Sequence, residues 1–352
     1  MDRRQFMQRG AAAAAVTLAA SRASAALPAA ARRFEVTTRV DLAAATGTQA
    51  AQAWLPLFTS DAAYQRVLEV RAEGGGRARI VRAGGVAMLH ASWREGEAKQ
   101  PLVLTQRLAT WERTTVPGRL GAGERARFTA ATAMIPTDGA VRELARGIVG
   151  ERREPRAQVR AIYDWMLANT WRDPATPGCG AGDVNAMLRD HRLAGKCVDL
   201  SRLFVALVRS IGIPAREVYG QRLAPSASFR SLGRGGDVST AQHCRAEAWL
   251  EDGAGRGQWF ACDPADVRKA VLEEKLPLGD PGIQALGERL FGKGESNWGG
   301  YNHAGALVLP GATLAPRYDF LMYPVAMTRT ALCNCLDPKA FGYEIASREI
   351  PA

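Results

Sequence analysis

The stretch from Cys197 to Arg216 constrains the fold more than any other part of the chain. Leu200, Leu203, Phe204, Leu207, Val208 and Ile211 recur at steps of three and four, which makes one apolar face of a helix. Gly212 and Pro214 close it, because glycine suits the turn that ends a helix and proline cannot continue one. Cys197 falls in the first turn, where unpaired N–H groups and the helix dipole favour negative charge on a thiolate or an oxyanion.

Downstream, Arg245-Ala246-Glu247-Ala248-Trp249-Leu250 alternates behind His243, Glu251 to Gly257 reads as a hairpin turn, and Gln258 to Asp263 returns as a second strand. Hairpin pairing brings His243 and Asp263 near one another on one face, with Asp263 holding the ring and its tautomer. Each residue has a bland alternative: a small buried cysteine, a strand histidine, an Asp-Pro turn. Taken in chain order, Cys197, His243 and Asp263 read as a covalent catalyst, because an imidazole at a helix-terminal thiol favours the thiolate.

The segment Gly195-Lys196-Cys197, the run Leu203 to Val218 with its Leu-x-Arg-x-x-Gly-Ile-Pro-Ala-Arg, then His243 to Trp249 and Trp259 to Pro264 together resemble the bacterial transglutaminase-like superfamily core, over roughly residues 155–270. The resemblance implies an α+β, papain-like fold, a Cys197-His243-Asp263 triad and acyl transfer at amides. The family's usual His-Ala-Trp-x-Glu is altered: Cys244 and Arg245 follow the histidine and Trp249 comes after Glu247. Relatives use an upstream indole or amide as a second oxyanion donor, and Trp171 is the candidate here; its alternative is a core tryptophan. Water as acyl acceptor gives an amidase or peptidase, an amine gives a transglutaminase. The competing class is a peptide-binding protein that keeps the fold without turnover. Peptide or protein amides are the expected partners.

The remaining chain frames that core. Asp2-Arg3-Arg4-Gln5-Phe6-Met7, an Ala-rich stretch to Ala20 and Ala23-Ser24-Ala25 read as a twin-arginine signal over residues 1–25, so a periplasmic or secreted protein beginning near Ala26 is expected. Without that segment's four arginines and one aspartate, the formal charge falls from +11 to +8. The rest is scattered arginine with no nucleic-acid motif, and no apolar run approaches the ~18 residues of a membrane span. Short alternating runs between glycines, such as Phe34 to Val40, Gln65 to Val70, Ala78 to Val81 and Leu102 to Leu108, make residues 30–125 an antiparallel β-sandwich. Helical spacing starts near Asp138 and resumes after Pro155, so the catalytic part is placed at residues 126–352, with strands at 300–350 extending its sheet.

Six cysteines in an exported chain raise the question of disulfides. Cys244 and Cys262 should share the face opposite the catalytic one and are candidates for a bridge; Cys179 with Cys333 or Cys335 is another. No paired CxxC spacing is present, His191 and His303 have no nearby ligands and His90 reads as a strand histidine, so neither a metal nor a cofactor is expected.

Overall fold

The computed structural model describes residues 16–19, 26–314 and 317–351, in three antiparallel sheets, a two-stranded parallel pair and helices. The candidate export signal lies outside the described residues, apart from Val16–Ala19, which pairs as an edge strand with Gln65–Gly74. Among the described residues no helix is long and apolar enough to cross a membrane.

Two of the sheets form the sandwich expected of the N-terminal part. Arg32–Val40, Gln65–Gly74 and Leu102–Thr110 belong to one, Ala51–Pro56, Arg79–Ala83 and Val86–Trp93 to the other. Phe34, Val36 and Val40 alternate inward along the first strand, the period-two pattern of a half-buried strand, and share a core with Leu55, Leu89, Ala91 and Leu104.

The third sheet runs in the order Phe291–Gly292, Gly257–Cys262, Gln242–Glu251, Ala215–Arg222, Trp298–Asn302. Trp298–Asn302, a glycine-rich segment that reads as a loop in the sequence, extends it, whereas the strands expected further along the C-terminal stretch do not join it among the described residues. Val325–Thr328 pairs with Ala51–Pro56 and Tyr343–Ile350 pairs with Arg32–Val40, so the chain's end returns to the sandwich. Cross-strand charge matches that register: Arg32 Nε reaches Glu349 at 2.9 Å and Arg348 Nε reaches Glu35 at 2.9 Å. These pairings lie more than 300 residues apart in sequence, beyond what local spacing can specify.

Helix Cys197–Ser210 packs on the His243 strand and is buried along its whole length, not on one face. Its polar side is satisfied inside the protein. Arg202 Nε donates to Glu217 Oε2 at 2.9 Å, and the Tyr219 hydroxyl donates to the same oxygen at 2.7 Å. The two arginines of the helix-to-strand motif act as clamps. Arg209 donates to the carbonyls of Ala215 at 2.8 Å and Ala130 at 2.9 Å, which fixes the turn at Gly212. Arg216 donates to Glu247 Oε2 at 2.7 Å and lies 3.9 Å over the Trp259 ring, while Arg113, from the end of the sandwich, pairs with Glu247 on its other oxygen.

Candidate active site

Cys197 opens its helix because the chain before it is folded tightly onto the helix entrance. Asp199, two residues into the first turn, accepts the Lys196 N–H at 2.8 Å with one oxygen and the Gly182 N–H at 2.7 Å with the other. This fit requires glycine at Gly180, which has φ +99°, because a Cβ there would come within 1.9 Å of the Asp199 carboxylate. The Val198 N–H donates to the Cys179 carbonyl at 2.9 Å, so the Cys179 loop is pinned beside Cys197. As the first residue of the helix, Cys197 has no acceptor for its own N–H within it.

The hairpin sets the other two groups. Ala246 faces Cys262 and Leu250 faces Gln258, a register whose continuation sets Asp263 opposite Arg245, on the face that His243 also shares. His243 Nε2 lies 2.8 Å from Asp263 Oδ2, and Arg245 Nε lies 3.4 Å from the same oxygen. Asp263 is also the N-cap of helix Pro264–Glu273, where its other oxygen accepts the Asp266 N–H at 3.0 Å. With Nε2 turned to the carboxylates, Nδ1 is the nitrogen left for the thiol. Behind the imidazole, Trp298 Nε1 donates to the His243 carbonyl at 2.9 Å and fixes the strand.

Charge then determines protonation. Burial and the Arg222 charge press His243 toward neutrality, but Asp266 and Asp263 outweigh them and hold its pKa above the ordinary 6.5. Cys197 is held well below the usual 9.0: a hydrogen bond from the Cys179 thiol comes first, one from Cys244 second, and the bond and charge of His243 add to them against burial. Cys179, through that bond and burial, and Cys244, through burial and the same kind of bond, are pushed well above 9.0 and so remain S–H donors. The Tyr323 hydroxyl in turn donates to Cys179 Sγ at 3.0 Å. These shifts favour a thiolate at Cys197 beside an imidazolium at His243, with the Cys179 and Cys244 thiols also reaching the Gln242 carbonyl and the Ser201 hydroxyl, each at 3.6 Å.

The expected disulfides are absent, since all six cysteines are free. Ladder register explains the first: Cys262 stands opposite Ala246, two residues from Cys244, and that diagonal spacing of roughly 7 Å exceeds a disulfide's reach. Cys179 is engaged with Tyr323 and Cys197, not with Cys333 or Cys335.

Trp171 sits in the short parallel pair Trp171–Arg172 with Ala194–Gly195. Its side chain is 46% exposed and does not line the cavity at Cys197; its neighbour Arg172 does. The structure adds one carboxylate that sequence reasoning missed. Asp266 Oδ2 is 3.3 Å from His243 Nε2 and 3.1 Å from Arg222 Nη1. The charges of Arg222 and His243 hold it ionised far below the usual carboxylate range despite burial. Its signal was present as Asp263-Pro264-Ala265-Asp266, an N-cap followed by Pro at the first position and an acid at the third. His243, Asp263 and Asp266 bring donor atoms within 4.8 Å of one another. Arg222 and Arg245 already supply these carboxylates with positive charge, the role a cation would fill.

Residues 142–264 match the family model of the Transglutaminase-like superfamily. An uncharacterized protein of Haemophilus influenzae is similar along almost the whole length: 35% identity over 346 residues, 90% of this chain and 91% of that one. An uncharacterized protein of Mycobacterium leprae is 30% identical over 149 residues, 42% of this chain and 48% of its own. Among solved structures, one from Cytophaga hutchinsonii, described as a candidate cysteine protease, is similar with a TM-score of 0.54 at 13% identity, over 96% of this chain and 94% of that one. Likeness at that identity shows the fold.

Proposed function

From the premise that this chain belongs to the transglutaminase-like superfamily, we propose that it is an exported thiol acyltransferase that acts on peptide amide bonds through a Cys197 acyl-enzyme, in the periplasm or outside the cell. The observation that carries this reading is the contact chain from the Cys197 thiol to the His243 imidazole to Asp263, at 2.8 Å for the second link. A binding scaffold has no physical need of a thiolate, a buried imidazole and two carboxylates aligned at a helix N-terminus.

In the mechanism, His243 holds the Cys197 proton on Nδ1. The thiolate attacks the amide carbonyl, and negative charge moves to the carbonyl oxygen, which the Cys197 N–H and the helix N-terminus stabilise. His243 gives its proton to the departing amine, the C–N bond breaks and a thioester remains. Asp263 and Asp266 hold the ring in the tautomer and orientation these steps need. Water then yields an acid, making the protein an amidase or peptidase; a primary amine yields a new amide, making it a transglutaminase.

Alkylation of the purified protein by iodoacetamide, read by mass spectrometry, tests the nucleophile. Rapid modification at Cys197 that persists below neutral pH and collapses in His243→Ala is expected. A Cys197 no faster than free cysteine, with no dependence on His243, would leave the peptide-binding scaffold as the better reading.

A further inference from the structure

Cys197 and His243 open into a cavity of about 640 Å³. Six cations line it: Arg172, Lys196, Arg222, Arg230, Arg234 and Lys269. Among the described residues Glu273 is the only carboxylate in the lining, and it is already shared, 3.1 Å from Arg172 and paired with Lys269. Arg222 is balanced from behind by Asp266. Lys196, Arg230 and Arg234 make no direct ion pair among the described residues: Arg234 donates to the neutral Thr240 hydroxyl at 2.6 Å with Asp237 further off, and Glu274 near Arg230 accepts the Ser231 N–H at 2.7 Å; neither acid lines the cavity. Lys196 immediately precedes Cys197, whereas Arg230 and Arg234 project from the segment that leads to the His243 strand, so positive charge engaged in no direct ion pair stands on two sides of the thiol. A concave wall of one sign concentrates its field inward and draws in molecules of the opposite sign.

We propose that the acyl donor is an acidic peptide whose carboxylates flank the scissile amide, with Lys196, Arg230 and Arg234 as the groups that recognise them. This rests on Cys197 being the reactive thiol proposed above. The chain's overall positive charge does not by itself place cations here; what singles out this cavity is six of them against one shared lining carboxylate. A bound carboxylate beside Lys196 would lie next to the carbon under attack, so recognition and positioning coincide.

The test compares two alkylating agents that differ in charge. Rates of Cys197 modification by iodoacetate and by iodoacetamide are measured on the full chain, and their ratio is set against that for free cysteine, with Cys197→Ala as the blank. The ratio should exceed the free-thiol ratio by about tenfold or more at low salt and fall as salt shortens the screening length. It should also fall in Arg230→Gln/Arg234→Gln. A wild-type ratio equal to that of free cysteine, with Cys197 still reactive toward iodoacetamide, would overturn the proposal and leave the nucleophile intact. Absence of His243-dependent reactivity toward either agent would instead remove the nucleophile. Protection from iodoacetamide then identifies the carboxylate. Acetyl-pentaglutamate amide tests side-chain carboxylates, acetyl-pentaglutamine acid tests the terminal one, and acetyl-pentaglutamine amide is the neutral control. Protection by either of the first two above the third supports the proposal and names the source; equal protection by all three, or by none, counts against it.

Discussion

Asp266 Oδ2 stands 3.3 Å from His243 Nε2, so the imidazole faces a second carboxylate besides Asp263. The arrangement divides the work of one acidic group between two. Asp263 makes the shorter contact and is held by the hairpin and by Arg245; Asp266 is held by Arg222.

Asp266→Asn should lower the pKa of His243, because it removes a charge that raises it and frees Arg222, whose charge lowers it. The alkaline limb of the pH–rate profile, where the imidazolium is lost, should therefore move to lower pH. An NMR titration of the ring measures the same shift directly. A limb that stays in place would mean that Asp263 alone sets the imidazole.

The thiols beside Cys197 give a second test. Cys244 stands where alanine is usual in the resembled motif, and its S–H supports the thiolate. Cys244→Ala should raise the Cys197 pKa, moving the midpoint of iodoacetamide alkylation upward; Cys179→Ala should move it further, because the Cys179 bond contributes most. Cys179→Ser keeps a donor and should lie between Cys179→Ala and the unmodified protein. Identical midpoints in all three variants would show that His243 and the helix terminus suffice.

Much of this site was legible in the sequence because its parts are local. The apolar steps from Leu200 to Ile211 and the alternation on either side of the 251–257 turn are short-range patterns, and they bring Cys197, His243 and Asp263 together. Ladder register is not local. A two-residue offset between Cys244 and Cys262 turned an expected bridge into two free thiols, one of which faces Cys197. The pairing of Tyr343–Ile350 with Arg32–Val40 joins opposite ends of the chain, which no periodicity in either segment announces. Burial of both sides of the Cys197 helix was hidden for another reason: Arg202 and Arg209 look like solvent-facing residues until their partners Glu217 and Ala215 are seen.

Glu247 is the buried anion between Arg113 and Arg216. Despite burial, these two arginines hold its pKa below the usual 4.5 in the folded protein. A depressed folded pKa gives stability that is fully present above the unfolded value and lost as pH falls through the folded one. Glu247→Gln should cost about 3–5 kcal/mol at neutral pH, since two buried cations lose their partner, and should flatten the acid side of the stability profile. Urea unfolding from pH 7 down to pH 3 measures both effects; a loss below about 1 kcal/mol would show that water replaces the carboxylate.

Export is tested at the N-terminus. Changing Arg3 and Arg4 together to lysine should trap full-length precursor in the cytoplasm, because the pair is read by a receptor and not by charge alone. Fractionation followed by N-terminal sequencing should find the unaltered protein outside the cytoplasm, beginning near Ala26. Equal export of the lysine variant would exclude the twin-arginine route.

The sharpest test is whether Cys197, His243 and Asp263 act as one unit. Cys197→Ala removes the nucleophile and His243→Ala removes the group that holds its proton, so each should lower kcat by something on the order of 10⁶-fold, and the double variant should be little worse. Asp263→Asn is different, since an amide can turn its N–H toward Nε2 and impose the wrong tautomer, a loss of roughly 10⁴-fold where no other carboxylate is at hand. Here Asp266 remains 3.3 Å from the same nitrogen, so Asp263→Asn should lose less, and Asp263→Asn/Asp266→Asn should lose more than the two single changes combined. Hydrolysis of a peptide amide, followed as kcat and KM separately, measures each step. If the losses for Cys197→Ala and His243→Ala simply multiply in the double variant, the thiol and the imidazole work independently and the triad assignment fails.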